Sequence, residues 1–219
     1  MRNRFDRQLE ELHVELIEMG SMCEDVIRKT SKLLQSGDAK VAKEIRKEDS
    51  NIDEQERLVE SLCLKLLLQQ QPVAKDLRKV SAALKMITDM ERIADQAVDI
   101  SELVIKMSRL PYAESVSEIS DMADRVQEMV RAAAKSFVER DGELAKAVCR
   151  SDDAVDDLFE VIKKKLTGIV HREIEGDDNG EQALDLLMVA KYLEKIGDHA
   201  SNIAEWVIFM ITGEHKKLN

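Results

Sequence analysis

Acidic side chains recur at helical spacing in two separated places. In YLEKIGDHASNIAEWV, Glu194, Asp198 and Asn202 follow one another at four-residue intervals, and Glu91, Asp95 and Asp99 do the same 103 positions earlier. Two further pairs keep the interval, Asp49 with Asp53 and Asp152 with Asp156. Four residues advance a helix by 400°, so such acids are offset by only about 40° and form one stripe. Unshielded like charges at this spacing repel by some tenths of a kcal/mol per pair. A bound multivalent cation reverses that penalty, and several bridging carboxylates suit more than one ion. Donor sets made of oxygen alone favour hard ions such as Mg²⁺, Ca²⁺, Mn²⁺ or oxidised iron, whereas zinc more often recruits His or Cys.

A plainer reading stands beside this one. A charge-rich helix carries many acids at i,i+4 that simply face water, and Lys47, Arg92 and Lys195 are placed to neutralise some of them. His199 follows Asp198 and so points about 100° away from it on a helix, which favours a structural or exposed role over that of a peripheral ligand. His13, His171 and His215 are isolated. The di-iron bundle signature, E-x-x-H on paired helices, is absent, as are the P-loop, GxSxG, HExxH and Rossmann glycine patterns. Metal-bound carboxylates can activate water. A metal-dependent phosphohydrolase would nevertheless lack a general acid or base and a phosphate cradle here. The sequence offers no obvious basic pocket for inorganic phosphate, so direct sensing of phosphate is not expected.

The elements that must position these acids are helices. Apolar residues recur at spacings of three and four, and no period-two pattern competes. Ser36-Gly37-Asp38 breaks the first helix and offers Asp38 as the N-cap of the second. Pro72 ends the second and suits the first turn of a third, and Pro111 ends the third. Ser115 with Glu118 has capping-box spacing for a fourth helix. Arg140-Asp141-Gly142 divides the fourth from a fifth, and Gly176 to Gly180 divides the fifth from a sixth. The prediction is an all-α chain of six long antiparallel helices in two tandem three-helix bundles, residues 1–110 and 111–219.

The halves align without a gap at an offset of 103 positions. Met19 falls on Met122, Asp38 on Asp141, Leu84 on Leu187, Ile93 on Ile196 and Ile100 on Ile203. Most positions differ, so a duplicated chain has diverged widely. The acids nevertheless coincide: Asp49 on Asp152, Asp53 on Asp156, Glu91 on Glu194, Asp95 on Asp198 and Glu102 on Glu205. Each half therefore carries a D-x-x-x-D pair on its second helix and an E-x-x-x-D pair on its third.

Composition narrows the function classes. The net charge is −11, from 33 basic and 44 acidic side chains, a balance that repels nucleic acid and anionic lipid. Cys23, Cys63 and Cys149 are odd in number and far apart, which reads as structural, reduced thiols. Neither a signal-peptide core nor a membrane-spanning apolar run is present, and the expected compartment is the cytoplasm.

With two acidic third-helix motifs in a duplicated six-helix chain, the sequence resembles the PhoU family over essentially its whole length. The segments that carry the resemblance are Gln71-Pro72-Val73-Ala74-Lys75-Asp76-Leu77-Arg78, Met90-Glu91-Arg92-Ile93-Ala94-Asp95-Gln96-Ala97, and Leu193-Glu194-Lys195-Ile196-Gly197-Asp198-His199-Ala200 with Asn202-Ile203-Ala204-Glu205. The resemblance implies a non-enzymatic negative regulator of the bacterial phosphate-starvation response. It implies an adaptor between the ATPase subunit of a phosphate ABC transporter and a membrane sensor histidine kinase. It further implies a homodimer, recruited to the inner face of the membrane through partner proteins alone. Iron or zinc clusters are expected at the E(D)xxxD motifs. Carried over, the ligands are Asp49, Asp53, Glu91, Asp95 and Asp99 in one half and Asp152, Asp156, Glu194, Asp198 and Asn202 in the other. Where the family usually reads Gly-Asp-His in both repeats, the first copy has Ala94-Asp95-Gln96, and it has Asp99 where the second has Asn202. Two unequal sites are therefore expected. The alternative is a metal-independent adaptor whose acids face a basic partner.

Overall fold

The computed structural model describes residues 2–70, 74–107, 117–172 and 179–214. They form α1 (Arg2–Ser36), α2 (Ala39–Gln70), α3 (Ala74–Met107), α4 (Ser117–Glu139), α5 (Gly142–Arg172) and α6 (Asn179–Thr212). The expected breaks at Pro72 and Pro111, the Ser115 half of the capping box, the 110/111 boundary and residues 176–178 lie outside the described residues.

Two of the helix-to-helix turns show how local chemistry sets the offset between halves. Gly37 ends α1 in the left-handed region at φ 61°, and its N–H donates to the Leu33 carbonyl at 2.8 Å. Asp38 then caps α2, its Oδ1 accepting the Lys40 N–H at 2.8 Å. One repeat later Arg140 takes the glycine's place at φ 54°, and the Asp141 N–H closes onto the Ser136 carbonyl at 2.9 Å. Asp141 Oδ1 accepts the N–H groups of Glu143 and Leu144 at 2.9 and 3.0 Å. The same caps thus fall 103 positions apart, as the internal alignment requires.

Helices α1, α2 and α3 pack on one another, as do α4, α5 and α6. The two bundles join along α3 against α6 and α1 against α4, while α2 and α5 flank the outside without touching the opposite bundle among the described residues. Pairs along the seam show that α3 and α6 run antiparallel: Asp89 meets His199, whereas Lys106, further along α3, meets Asp185, earlier on α6. The core is one continuous cluster through both bundles, and Ile93, Ile100, Ile196 and Ile203 are buried in it at matched positions. Burying each such side chain stabilises the fold by about 1.5–3 kcal/mol before ordering entropy is charged. The apolar faces of α3 and α6 are used by both bundles, so their acidic stripes are left to face α2 and α5.

Candidate metal centre

In the second half the stripes of α5 and α6 converge. Asp156, Glu194 and Asp198 each offer a carboxylate oxygen, and these oxygens all lie within 4.8 Å of one another. Burial, followed by the charges of Glu194 and Asp198, pushes the Asp156 carboxyl up from its ordinary value against the opposing pull of Lys191. Two lysines attend the triad. Lys191 pairs with Glu194 at 2.6 Å, and Lys195 pairs with Asp198 and reaches Glu194 at 3.5 Å. Lys191 is also held 5.1 Å above the ring of Phe159.

Asp152 lies deeper, only 5% exposed. Its Oδ1 is 3.5 Å from where a Cβ on Gly197 would stand, an ordinary van der Waals distance, so the carboxylate packs against α6 at that residue. Asn202 turns elsewhere. Its Nδ2 donates to Asp89 Oδ1 at 3.0 Å across the seam, and His199 Nδ1 lies 2.9 Å from the same oxygen. The structure thus gathers three of the five expected ligands of this half, keeps Asp152 beneath Gly197, and engages Asn202 with α3. His199 holds a partly buried structural position between the bundles.

The first half gathers more acid and draws it together less. Burial is the chief cause that lifts Asp49 to about 6, followed by the charges of Asp53, Asp95 and Asp99, with Arg46 opposing. Its Oδ1 is buried with no hydrogen-bond partner. Glu91 is raised by burial and then by Asp95, with Glu56 and Asp53 contributing. Asp99 is raised by burial, Asp95 and Glu102. Arg92 pairs with Asp95 at 3.1 Å and Glu91 at 3.5 Å, and Arg57 reaches Asp53 at 3.6 Å. Among the described residues, no three of these acids offer oxygens as close together as the triad of the second half.

Two features escaped the repeat. Glu56, raised by burial, Glu60 and Asp53, belongs to the first acidic group, but its counterpart is Phe159. Its sequence signals are the three-residue step from Asp53 and the four-residue step to Glu60. Asp89, the shared acceptor of His199 and Asn202, has Tyr192 as its counterpart. Tyr192 in turn sits near Asp99 and Glu102, which with burial raise its hydroxyl. The thiols of Cys23, Cys63 and Cys149 are free and buried, and burial pushes them up to about 12, 12 and 11, which fits packing rather than nucleophilic chemistry.

The PhoU domain model matches the chain twice, over residues 16–104 and 119–207, once in each half. The chain belongs to the PhoU family. It is 37% identical over 219 residues to the phosphate-specific transport system accessory protein PhoU homolog of Clostridium acetobutylicum, covering 100% of this chain and 99% of that one. The protein of the same name from Synechocystis is 31% identical over 98% of this chain and 94% of its own. Among solved structures, PhoU from Pseudomonas aeruginosa superposes with a TM-score of 0.90 at 30% identity, covering 96% of this chain and all of that one. The phosphate transport system regulatory protein PhoU from Streptococcus pneumoniae gives 0.86 at 25% identity, with 98% and 100% coverage. Among the described residues no helix is long and apolar enough to cross a membrane.

Proposed function

We propose that this chain is a non-catalytic accessory regulator of a phosphate-specific transport system and binds metal ions between its acidic helix stripes. The observation that carries the reading is its likeness, from end to end, to proteins named as accessory and regulatory components of such systems. In this reading it works as a cytoplasmic adaptor between the transporter's ATPase subunit and a membrane sensor histidine kinase. It holds starvation signalling off when phosphate is plentiful, and it reaches the membrane only through those partners. Long helical faces suit such contacts, and a change in partner occupancy carries the signal without catalysis. The chain acts as a homodimer.

The residues fit a metal. The Asp156, Glu194 and Asp198 oxygens converge, and Asp49 keeps a buried oxygen without a partner. Asp156, Glu194, Asp198 and Asp152 would hold ions in one half, and Asp49, Asp53, Glu91, Asp95 and Asp99 in the other. Bound there, a cation supplies positive charge that relieves carboxylate repulsion and fastens α5 to α6 and α2 to α3. Iron or zinc is the expected ion, with Mg²⁺, Mn²⁺ or Ca²⁺ compatible with the oxygen donors. Elemental mass spectrometry on protein purified without chelator or affinity metal tests this. The expected result is one or more metals per chain, depleted in Asp198→Ala. Metal at background, with a melting temperature unmoved by chelator, would reject the metal part. Autophosphorylation of a purified kinase that is the same with and without the protein would reject direct kinase control.

A second reading, a metal-independent adaptor with an acidic surface for a basic partner, is favoured by one observation. Lys191, Lys195 and Arg92 already pair with the stripe acids. It predicts that these acids can be replaced by amides without loss of stability, while binding of the partner weakens.

A further inference from the structure

We propose that a cleft at one end of the molecule, away from the acidic stripes, binds a small phosphorylated molecule that carries a flat ring, the class to which nucleoside monophosphates belong. The cleft has a volume of about 350 Å³ and opens where α1, α3, the α4–α5 turn and the end of α6 meet. That is within the range of small-ligand pockets, about 300–1,000 Å³. Its floor is apolar, from Leu9, Leu12, Leu16, Met210 and Ile211. On this floor His13 and Phe137 form a tilted ring pair with centroids 4.9 Å apart. Burial, then Arg140, holds His13 below its ordinary value, which favours the neutral ring for stacking on a planar group, while Phe137, 4% exposed, backs that ring from the core.

The lining carries three cations against two acids, a positive balance in a protein whose net charge is −11. The cations are Lys75, Lys79 and Arg140. Lys79 has Asp76 at 3.6 Å, whereas Lys75 and Arg140 form no ion pair among the described residues. Asp6 and Glu10 line the same cleft and are suited to accept hydrogen bonds from hydroxyl or amino groups of the ligand. A phosphate group answers the three cationic heads, and a ring answers the floor.

The lining residues differ between the halves, as most positions do. At the offset of 103, Lys75, Lys79 and Arg140 correspond to Asp178, Gln182 and Gly37, and His13 and Phe137 to Val116 and Leu34. The cationic residues and the ring pair therefore occur in one copy of the repeat and have no matched set in the other. Arg140 carries the strongest mark. It holds a left-handed backbone at φ 54° where its counterpart is a glycine at φ 61°. An L side chain is strained there, and such strain persists where the side chain has a use.

The test titrates the full chain with AMP, adenosine and inorganic phosphate, reading heat and the ring resonances of His13 and Phe137. AMP is expected to bind one site per chain, to move both rings, and to bind more tightly than adenosine or phosphate. Lys79→Ala and Arg140→Gly are each expected to weaken AMP at least about tenfold, the loss of one charge-assisted hydrogen bond. Arg140→Gly is also expected to raise the melting temperature, because glycine accepts the backbone angle, so weakened binding cannot be charged to misfolding. No binding at millimolar AMP, AMP binding that Arg140→Gly leaves unchanged, or phosphate bound as tightly as AMP would each overturn the proposal.

Discussion

The α2–α3 stripe of the first half holds more carboxylates than its α5–α6 counterpart, yet the three oxygens that converge are in the second half. The difference lies in the neighbours rather than in the matched acids. Around Asp156, Glu194 and Asp198 stand Lys191 and Lys195, and a phenyl ring replaces a further acid. Around Asp49, Asp53 and Glu91 stand Glu56 and Asp99 as well, and the attending Arg57 and Arg92 are more than half exposed. Lysine cations placed within the stripe let carboxylates approach, whereas added carboxylates force them apart. Equal motifs therefore make unequal sites, and the inequality comes from positions that a motif comparison skips.

That contrast can be broken or sharpened by measurement, beginning with the scaffold the two sites share. Ile93→Ala and Ile196→Ala remove matched, fully buried side chains, and each should cost about 2–5 kcal/mol in denaturant unfolding. Because the core is continuous, both should unfold in a single transition; two separate transitions would show that the bundles melt independently. Next in size is the seam. Asp89→Ala deprives His199 and Asn202 of their common acceptor and should cost about 1–3 kcal/mol. Tyr192→Phe at the matched position should cost less, and a larger loss there would reverse the assignment of which side of the seam is bonded.

The third test is pH on chelator-treated protein. Asp49 is raised to about 6 from 3.8, so the folded chain holds its proton more tightly than the unfolded chain. Stability should therefore fall as pH rises from about 4 to 6 and be lowest above that window. Asp49→Asn should flatten this slope and raise the melting temperature at pH 7. An unchanged slope would mean that Asp49 is well solvated. Smallest is Lys195→Ala. Its ammonium is partly exposed, so the loss in metal-free protein should be about 0.2–1 kcal/mol. The same variant should bind added Mn²⁺ more tightly, as read by electron paramagnetic resonance; weaker binding would mean that Lys195 orders the triad rather than competing with the ion.

Much of this architecture was written in local chemistry. The three-and-four spacing of apolar residues determined the helices, Asp38 and Asp141 determined two of the caps, and the offset of 103 determined that the halves are alike. Family membership was equally legible, in the acidic motifs of α3 and α6, and so was the packing role of the buried cysteines. These are properties of residues within a turn or two of each other. The tertiary structure decided which side chains from different helices meet. It turned Asn202 and His199 toward Asp89, 113 and 110 positions away, because the α3–α6 seam lies beside the stripe. It brought Glu56 into the first acidic group. It also assembled Lys75, Lys79, Arg140 and His13 around one cleft from three distant segments. Periodicity fixes the face of a helix a residue occupies; the partner of that face is set by how long helices pack, and that information is not local.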